Sequence, residues 1–212
     1  MAPPTGLVHR VAITGGTHGN ETNGVLLAKF FQKNLPELTS RYVSFEVTVL
    51  ITNPASVAVN RRYVEEDLNR CFLRADLADL SRNSLEAKRA RELNAILGPK
   101  GSEEAFDLII DLHNTTAATG VALMMAPGDE LSHAIATHLI ASDETVKVCN
   151  WNAASADYAM LPSVGKSGMT FEVGPQPWGC ADARAYAQSL DLLEAALDYV
   201  ELHNASVRRD RG

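Results

Sequence analysis

Apolar and polar positions along this chain follow two periods in turn. Short, strongly apolar runs fall at residues 8–14, 43–51, 106–113, 121–125, 146–149 and 168–174. Their length and their content of Val, Ile, Leu and Phe predict strands. Between them lie segments with helical spacing at 20–35, 84–97, 129–141 and 181–203, the last with apolar positions Leu190, Leu193, Leu197 and Val200 on one stripe. Pro36 is expected to end the first helix, and Gly98-Pro99 the second. Residues 54–75 have little periodicity and much charge, which predicts a solvated or functional loop. This alternation predicts an α/β sandwich with a largely parallel sheet.

In such sheets, sites form at the carboxyl ends of the strands, and the candidate polar residues fall there. His18 and Glu21 follow the first strand in Gly15-Gly16-Thr17-His18-Gly19-Asn20-Glu21. Their spacing of three puts both side chains on one side of a helix start. Arg62 follows the second strand, His113 ends the third in Asp111-Leu112-His113-Asn114, and Glu172 lies near the end of a late strand. Two imidazoles and one carboxylate are a donor set that suits a catalytic zinc ion. Asp111 shares a face with His113, either as a supporting residue or as a further ligand. Glu172 stands between Phe171 and Val173. Burying a carboxylate there without partners costs several kcal/mol, so it either has a function or faces outward from an edge strand. Arg62, Asn69 and Arg70 are suited to gripping carboxylates, or else to a salt-bridge network with Glu65, Glu66 and Asp67.

Composition narrows the partners. The chain has 212 residues, 46% hydrophobic and 21% charged, with a net charge of −7. It is long enough for one domain with a large core. The charge argues against nucleic acid, and no apolar stretch reaches membrane-spanning length. The start, Met1-Ala2-Pro3-Pro4, lacks the features of a secretory signal. Cys71, Cys149 and Cys180 are scattered, as expected for reduced thiols in a cytoplasmic protein.

Four motifs in order, Gly-Gly-Thr-His-Gly-Asn-Glu at 15–21, Asp-Leu-Asn-Arg at 67–70, Asp-Leu-His-Asn-Thr-Thr at 111–116 and Glu-Val-Gly-Pro-Gln-Pro at 172–177, resemble the aspartoacylase family. The resemblance implies a zinc carboxypeptidase-like fold, a three-layer α/β/α sandwich with a mixed, largely parallel sheet, and a zinc-dependent amidohydrolase that deacylates N-acyl amino acids. It implies one Zn²⁺ held by His18, Glu21 and His113, Glu172 as general base and proton shuttle, and Arg62 polarising the scissile carbonyl. Asn69 and Arg70 are implied to hold the substrate's α-carboxylate, with Asn114 and Tyr158 also in the substrate site. The implied partner is a small N-acyl amino acid, with homo-oligomerisation left open.

Two departures accompany the resemblance. Aspartoacylase itself grips the side-chain carboxylate of N-acetylaspartate with an arginine four residues after the tyrosine. Pro162 stands there in this chain, beside Leu161, which favours the apolar pocket of the family's third-type aminoacylase, unless Lys166 substitutes. Family members usually continue into a β-rich C-terminal domain; the expectation here is a truncated fragment or a naturally short form without it, with a catalytic domain over 1–204 and a tail over 205–212. Alternatives are a carboxypeptidase-like peptidase or a non-catalytic zinc- or acyl-amino-acid-binding domain.

Overall fold

A computed structural model describes residues 6–150 and 157–210; the Met1–Pro4 start and the last two residues of the expected tail lie outside them. The elements run β1 (Arg10–Gly15), α1 (Thr22–Lys33), α2 (Leu35–Arg41), β2 (Glu46–Ile51), α3 (Pro54–Ala58), α4 (Arg74–Ala78), α5 (Leu85–Leu97), β3 (Leu108–Asn114), β4 (Gly120–Met125), α6 (Glu130–Ser142), β5 (Val146–Asn150), β6 (Ser167–Gly174) and α7 (Ala183–Asp210), with 3₁₀ turns at Leu68–Arg70 and Leu161–Val164. All six strands join one sheet in the order β2-β1-β3-β6-β4-β5. Only the β4–β6 pairing is antiparallel.

The sheet has a core on each side. One joins Ile13, Leu108, Ile110, Leu112, Phe171 and Val173 to Leu27 and Phe31 of α1, Ile135 and Leu139 of α6, and Leu193 and Leu197 of α7. The other joins Ala12 and Ile109 to Leu68, Phe72, Leu93, Leu97, Leu161 and Val164. Helices on both faces make the expected three-layer α/β sandwich. They also explain why β3 reads as an unbroken apolar run: every residue from Leu108 to Asn114 is buried.

Several boundaries differ from the sequence reading. Pro36 does not end a long first helix; it sits in the first turn of α2, where a missing N–H costs nothing. The charged stretch after β2 carries α3, a 3₁₀ turn and α4, too short to leave a periodic signal. The last helix continues past 204 to Asp210 and buries Val207, so residues 205–210 are helix and not a tail.

Two glycines let α1 come down onto the strand ends. Gly16 has φ +75°, a conformation that side chains disfavour, and turns the chain out of β1. Gly24 in α1 lies so close to β3 that an added Cβ would stand 2.3 Å from the Leu112 carbonyl oxygen. The helix start that carries Glu21 is thereby brought to the end of β3, where His113 stands.

Candidate metal centre and active site

The turn after β1, the end of β3 and the end of β6 meet at the centre of the sheet. His18, Glu21 and His113 are all buried, and their donor atoms lie within 4.8 Å of one another. His18 Nδ1 is 2.7 Å from Glu21 Oε1, and His113 Nδ1 is 2.7 Å from Glu21 Oε2. The second of these contacts lacks hydrogen-bond alignment, leaving a buried ring nitrogen orphaned. Three side chains from two distant parts of the chain thus bring their donor atoms to one point.

The other ring nitrogens are turned to carboxylates. His18 Nε2 is 3.0 Å from Asp67 Oδ1, and His113 Nε2 is 2.6 Å from Asp111 Oδ2. A proton on each Nε2 leaves each Nδ1 free to donate a lone pair, the arrangement that orients metal-binding histidines. Asp111 supports the cluster and is not a fourth ligand. It accepts hydrogen bonds from Thr14 Oγ1 at 2.8 Å and Thr17 Oγ1 at 2.9 Å, which leaves its carboxylate pinned.

Charge supports the same conclusion. Burial pushes the Glu21 carboxyl up, but His113 and His18 outweigh it and bring it down to about 2. Burial disfavours protonation of His113, yet Asp111 and Glu21 raise it well above the ordinary histidine value. Among the described residues, the one Lys or Arg paired with these carboxylates, Glu21, Asp67, Asp111 and Glu172, is Arg62, which reaches Glu21 and Asp67. Such a donor set fits a divalent cation, and a two-histidine, one-carboxylate set suits zinc.

Glu172 is the direct partner of His113 across the β3–β6 ladder. It is half-buried on a central strand, so it does not face outward from an edge. Burial pushes its carboxyl above the ordinary range; His113 pulls it down and Glu21 pushes it back up.

Arg62 reaches the cluster from the loop after α3. Its Nη2 and Nε donate to Asp67 Oδ2 at 2.9 and 3.2 Å, and its Nη1 is 3.6 Å from Glu21 Oε1. Asp67 therefore holds both His18 and Arg62, and through the Asn69 backbone N–H it caps the 3₁₀ turn bearing Asn69 and Arg70. Burial raises Asp67, but His18 and Arg62 hold it well below the usual carboxylate range. Neither Glu65 nor Glu66 joins Arg62; both reach α5 or the chain just before it. Asn69 is buried, its Oδ1 accepting from Leu161 N, while Arg70 is exposed. The Asn114 backbone N–H donates to Glu21 Oε2 at 3.2 Å, and its buried side-chain amide has no partner among the described residues.

Tyr158, expected in the substrate site, has its ring 5.7 Å from Lys100 Nζ, and burial together with Asp129 pushes its hydroxyl up to about 12. Lys166 does not substitute for the missing arginine. It precedes β6, at the opposite end of the strand from Glu172, and its Nζ pairs with Asp107 at 2.9 Å. Pro162 is buried in the 3₁₀ turn. Sequence reasoning passed over Asp67 as an orienting residue, together with Thr14 and Thr17, whose only signal was their place beside the glycine turn.

Comparison with known proteins agrees with this geometry. The chain is 39% identical over 200 residues to rat N-acyl-aromatic-L-amino acid amidohydrolase (carboxylate-forming), covering 92% of this chain and 62% of the relative. It is 36% identical over 203 residues to zebrafish (Danio rerio) aspartoacylase, covering 93% and 64%. The chain thus spans less than two thirds of the length of these curated relatives. The crystal structure of murine aminoacylase 3 superposes with a TM-score of 0.89 at 37% identity, covering 94% of this chain and 67% of that one. Residues 8–200 match the succinylglutamate desuccinylase/aspartoacylase catalytic domain, and the chain belongs to that family.

Proposed function

We propose that this chain is a zinc-dependent amidohydrolase that cleaves N-acyl amino acids into a carboxylate and a free amino acid. The observation that carries this reading is the convergence of His18, Glu21 and His113 on one point, with Glu172 beside His113 on the paired strand. His18 Nδ1, Glu21 and His113 Nδ1 would hold the ion. Zinc supplies Lewis acidity when bound, making water easier to deprotonate and a carbonyl easier to attack. Glu172 takes the proton from the attacking water, its raised pKa suiting it to give that proton to the departing amine. Arg62 donates hydrogen bonds to the oxygen on which negative charge develops. Asn69 and Arg70 bind the α-carboxylate, and the orphaned amide of Asn114 supplies a further polar contact.

On specificity, the position where the resemblance puts aspartoacylase's side-chain-binding arginine is Pro162 here, buried with Leu161 in the 3₁₀ turn. With no cation at that position and Lys166 engaged elsewhere, an acidic side chain gains no charge-assisted partner there. The favoured substrates carry apolar or aromatic side chains; the aromatic class is the one in the name of the rat relative. The test is a panel of N-acetyl amino acids, acidic against aliphatic and aromatic, assayed with zinc-loaded and chelator-treated protein. Zinc-dependent hydrolysis favouring apolar members is expected. Preference for N-acetylaspartate would overturn the specificity, and turnover without metal would overturn the mechanism. Release of C-terminal residues from short peptides in preference to N-acetyl amino acids would favour the peptidase alternative.

A further inference from the structure

The arm that carries Arg62 and Asp67 has no core of its own. No residue from Val57 to Asp67 is fully buried, and Val59, Tyr63 and Val64 are exposed apolar side chains. Its position therefore depends on hydrogen bonds. Three of these end on one carboxylate. Glu86, in the first turn of α5, is 0% exposed. Its Oε1 accepts from Val64 N at 2.7 Å, and its Oε2 from Glu65 N at 3.2 Å and Glu66 N at 3.3 Å. Three consecutive backbone N–H groups thus form an anion-binding concavity filled by a side chain of the same chain. A fourth donor is Asn53 Nδ2 at 3.3 Å. The backbone N–H of Asn53 donates to the Gly16 carbonyl in the turn leading to His18. Contacts also run in the opposite direction: Glu65 Oε2 accepts from Leu85 N at 2.6 Å, and Glu66 accepts from Ser84 Oγ and Arg82.

From this geometry we infer that Glu86 is a positioning residue: its carboxylate sets the arm 61–67, and through Asp67 and Arg62 it sets the orientation of His18 and of the oxyanion-binding guanidinium. The Glu86 carboxylate touches neither substrate nor metal. Nothing in the sequence separates it from the solvated charges around it on α5. Its catalytic consequence rests on the proposed hydrolase reading, whereas its effect on the arm and on the metal ligand does not.

The test compares wild type with Glu86→Gln, which keeps the volume but aims an NH₂ group at backbone N–H donors. Three readouts are taken. Backbone hydrogen exchange over 61–70 should accelerate while exchange over β3 stays unchanged. Zinc affinity, measured by chelator competition, should weaken by about tenfold, as when an orienting partner of a ligand is disturbed. With an N-acetyl amino acid as substrate, kcat/KM should fall by at least about tenfold, and this factor should shrink toward one in an Arg62→Ala background, because the two changes act on one element. Should Glu86→Gln not fold, Glu86→Asp keeps the charge, withdraws the carboxylate by one methylene and should give intermediate values. Faster exchange at 61–70 with unchanged zinc affinity and kcat/KM overturns the inference. So does unchanged exchange, or a loss of kcat/KM that is simply additive with Arg62→Ala. A wild type that hydrolyses no N-acyl amino acid defeats the proposed reaction but leaves Glu86 to be judged on exchange and zinc affinity.

Discussion

His113 and Glu172 are direct neighbours across the β3–β6 ladder, a metal-ligand candidate and a half-buried carboxylate held side by side on one sheet face. Removing the charge of Glu172 without changing its shape separates its two possible duties. Glu172→Gln should lower kcat by about 10²–10⁴-fold, the usual contribution of a general acid–base, while zinc content stays near one per chain. Full activity in this variant, measured alongside metal analysis, would assign the proton transfer to another group.

Asp111 is fully buried and accepts hydrogen bonds from Thr14, Thr17 and His113. Asp111→Asn keeps the volume but removes the charge that fixes the His113 tautomer. Zinc affinity should weaken by about 10–100-fold, with Tm of the metal-free protein changing far less than that of the loaded form. Chelator competition and thermal melts with and without zinc check this. Equal Tm losses in both forms would make the role structural only.

Gly24 lies against the Leu112 carbonyl oxygen at a distance no side chain tolerates. Gly24→Ala is favourable by helix propensity, so the naive expectation is a gain. The steric clash reverses it: α1 must lift away from β3 and carry Glu21 from His113. A loss of about 1–3 kcal/mol with weakened zinc binding is expected. Denaturant melts of the metal-free protein measure the first and chelator competition the second; a stabilised variant would show that α1 yields without strain.

Asp107 ties the start of β1 to the start of β6, accepting from His9 N at 2.7 Å, Arg10 N at 2.9 Å and Lys166 Nζ at 2.9 Å. Burial raises its carboxyl, but these donors hold it below the ordinary aspartate value. A depressed folded-state pKa stabilises the fold above the unfolded-state value, and this is lost as pH falls through the folded one. Asp107→Asn should therefore lower Tm at pH 7, and the gap from wild type should narrow as pH drops below roughly 4. A gap constant from pH 7 to pH 3 would exclude the ionised form as the source.

The layered α/β fold, the strand ends on which His18, His113 and Glu172 stand, and the types of chemistry they allow are all legible in the order of residues. Those features are local: apolar periodicity marks strands, and a polar residue ending an apolar run is visible without coordinates. Arg62 and Asn69 were candidates only as members of a charged loop, and their roles came from the resemblance.

Which charges answer which is settled only when the chain packs. Asp67 could equally have belonged to a surface network, and its part in holding His18 and Arg62 together exists only once residues 49 positions apart meet. Tyr158 and Lys166 lie near Glu172 in sequence, yet the fold turns one toward Lys100 and the other toward Asp107. Glu86 reads as an ordinary helix-surface charge until the backbone amides of 64–66 close around it. Hydrogen bonds and ion pairs act over a few ångströms and are indifferent to sequence separation, so their pairing is a property of the packed chain.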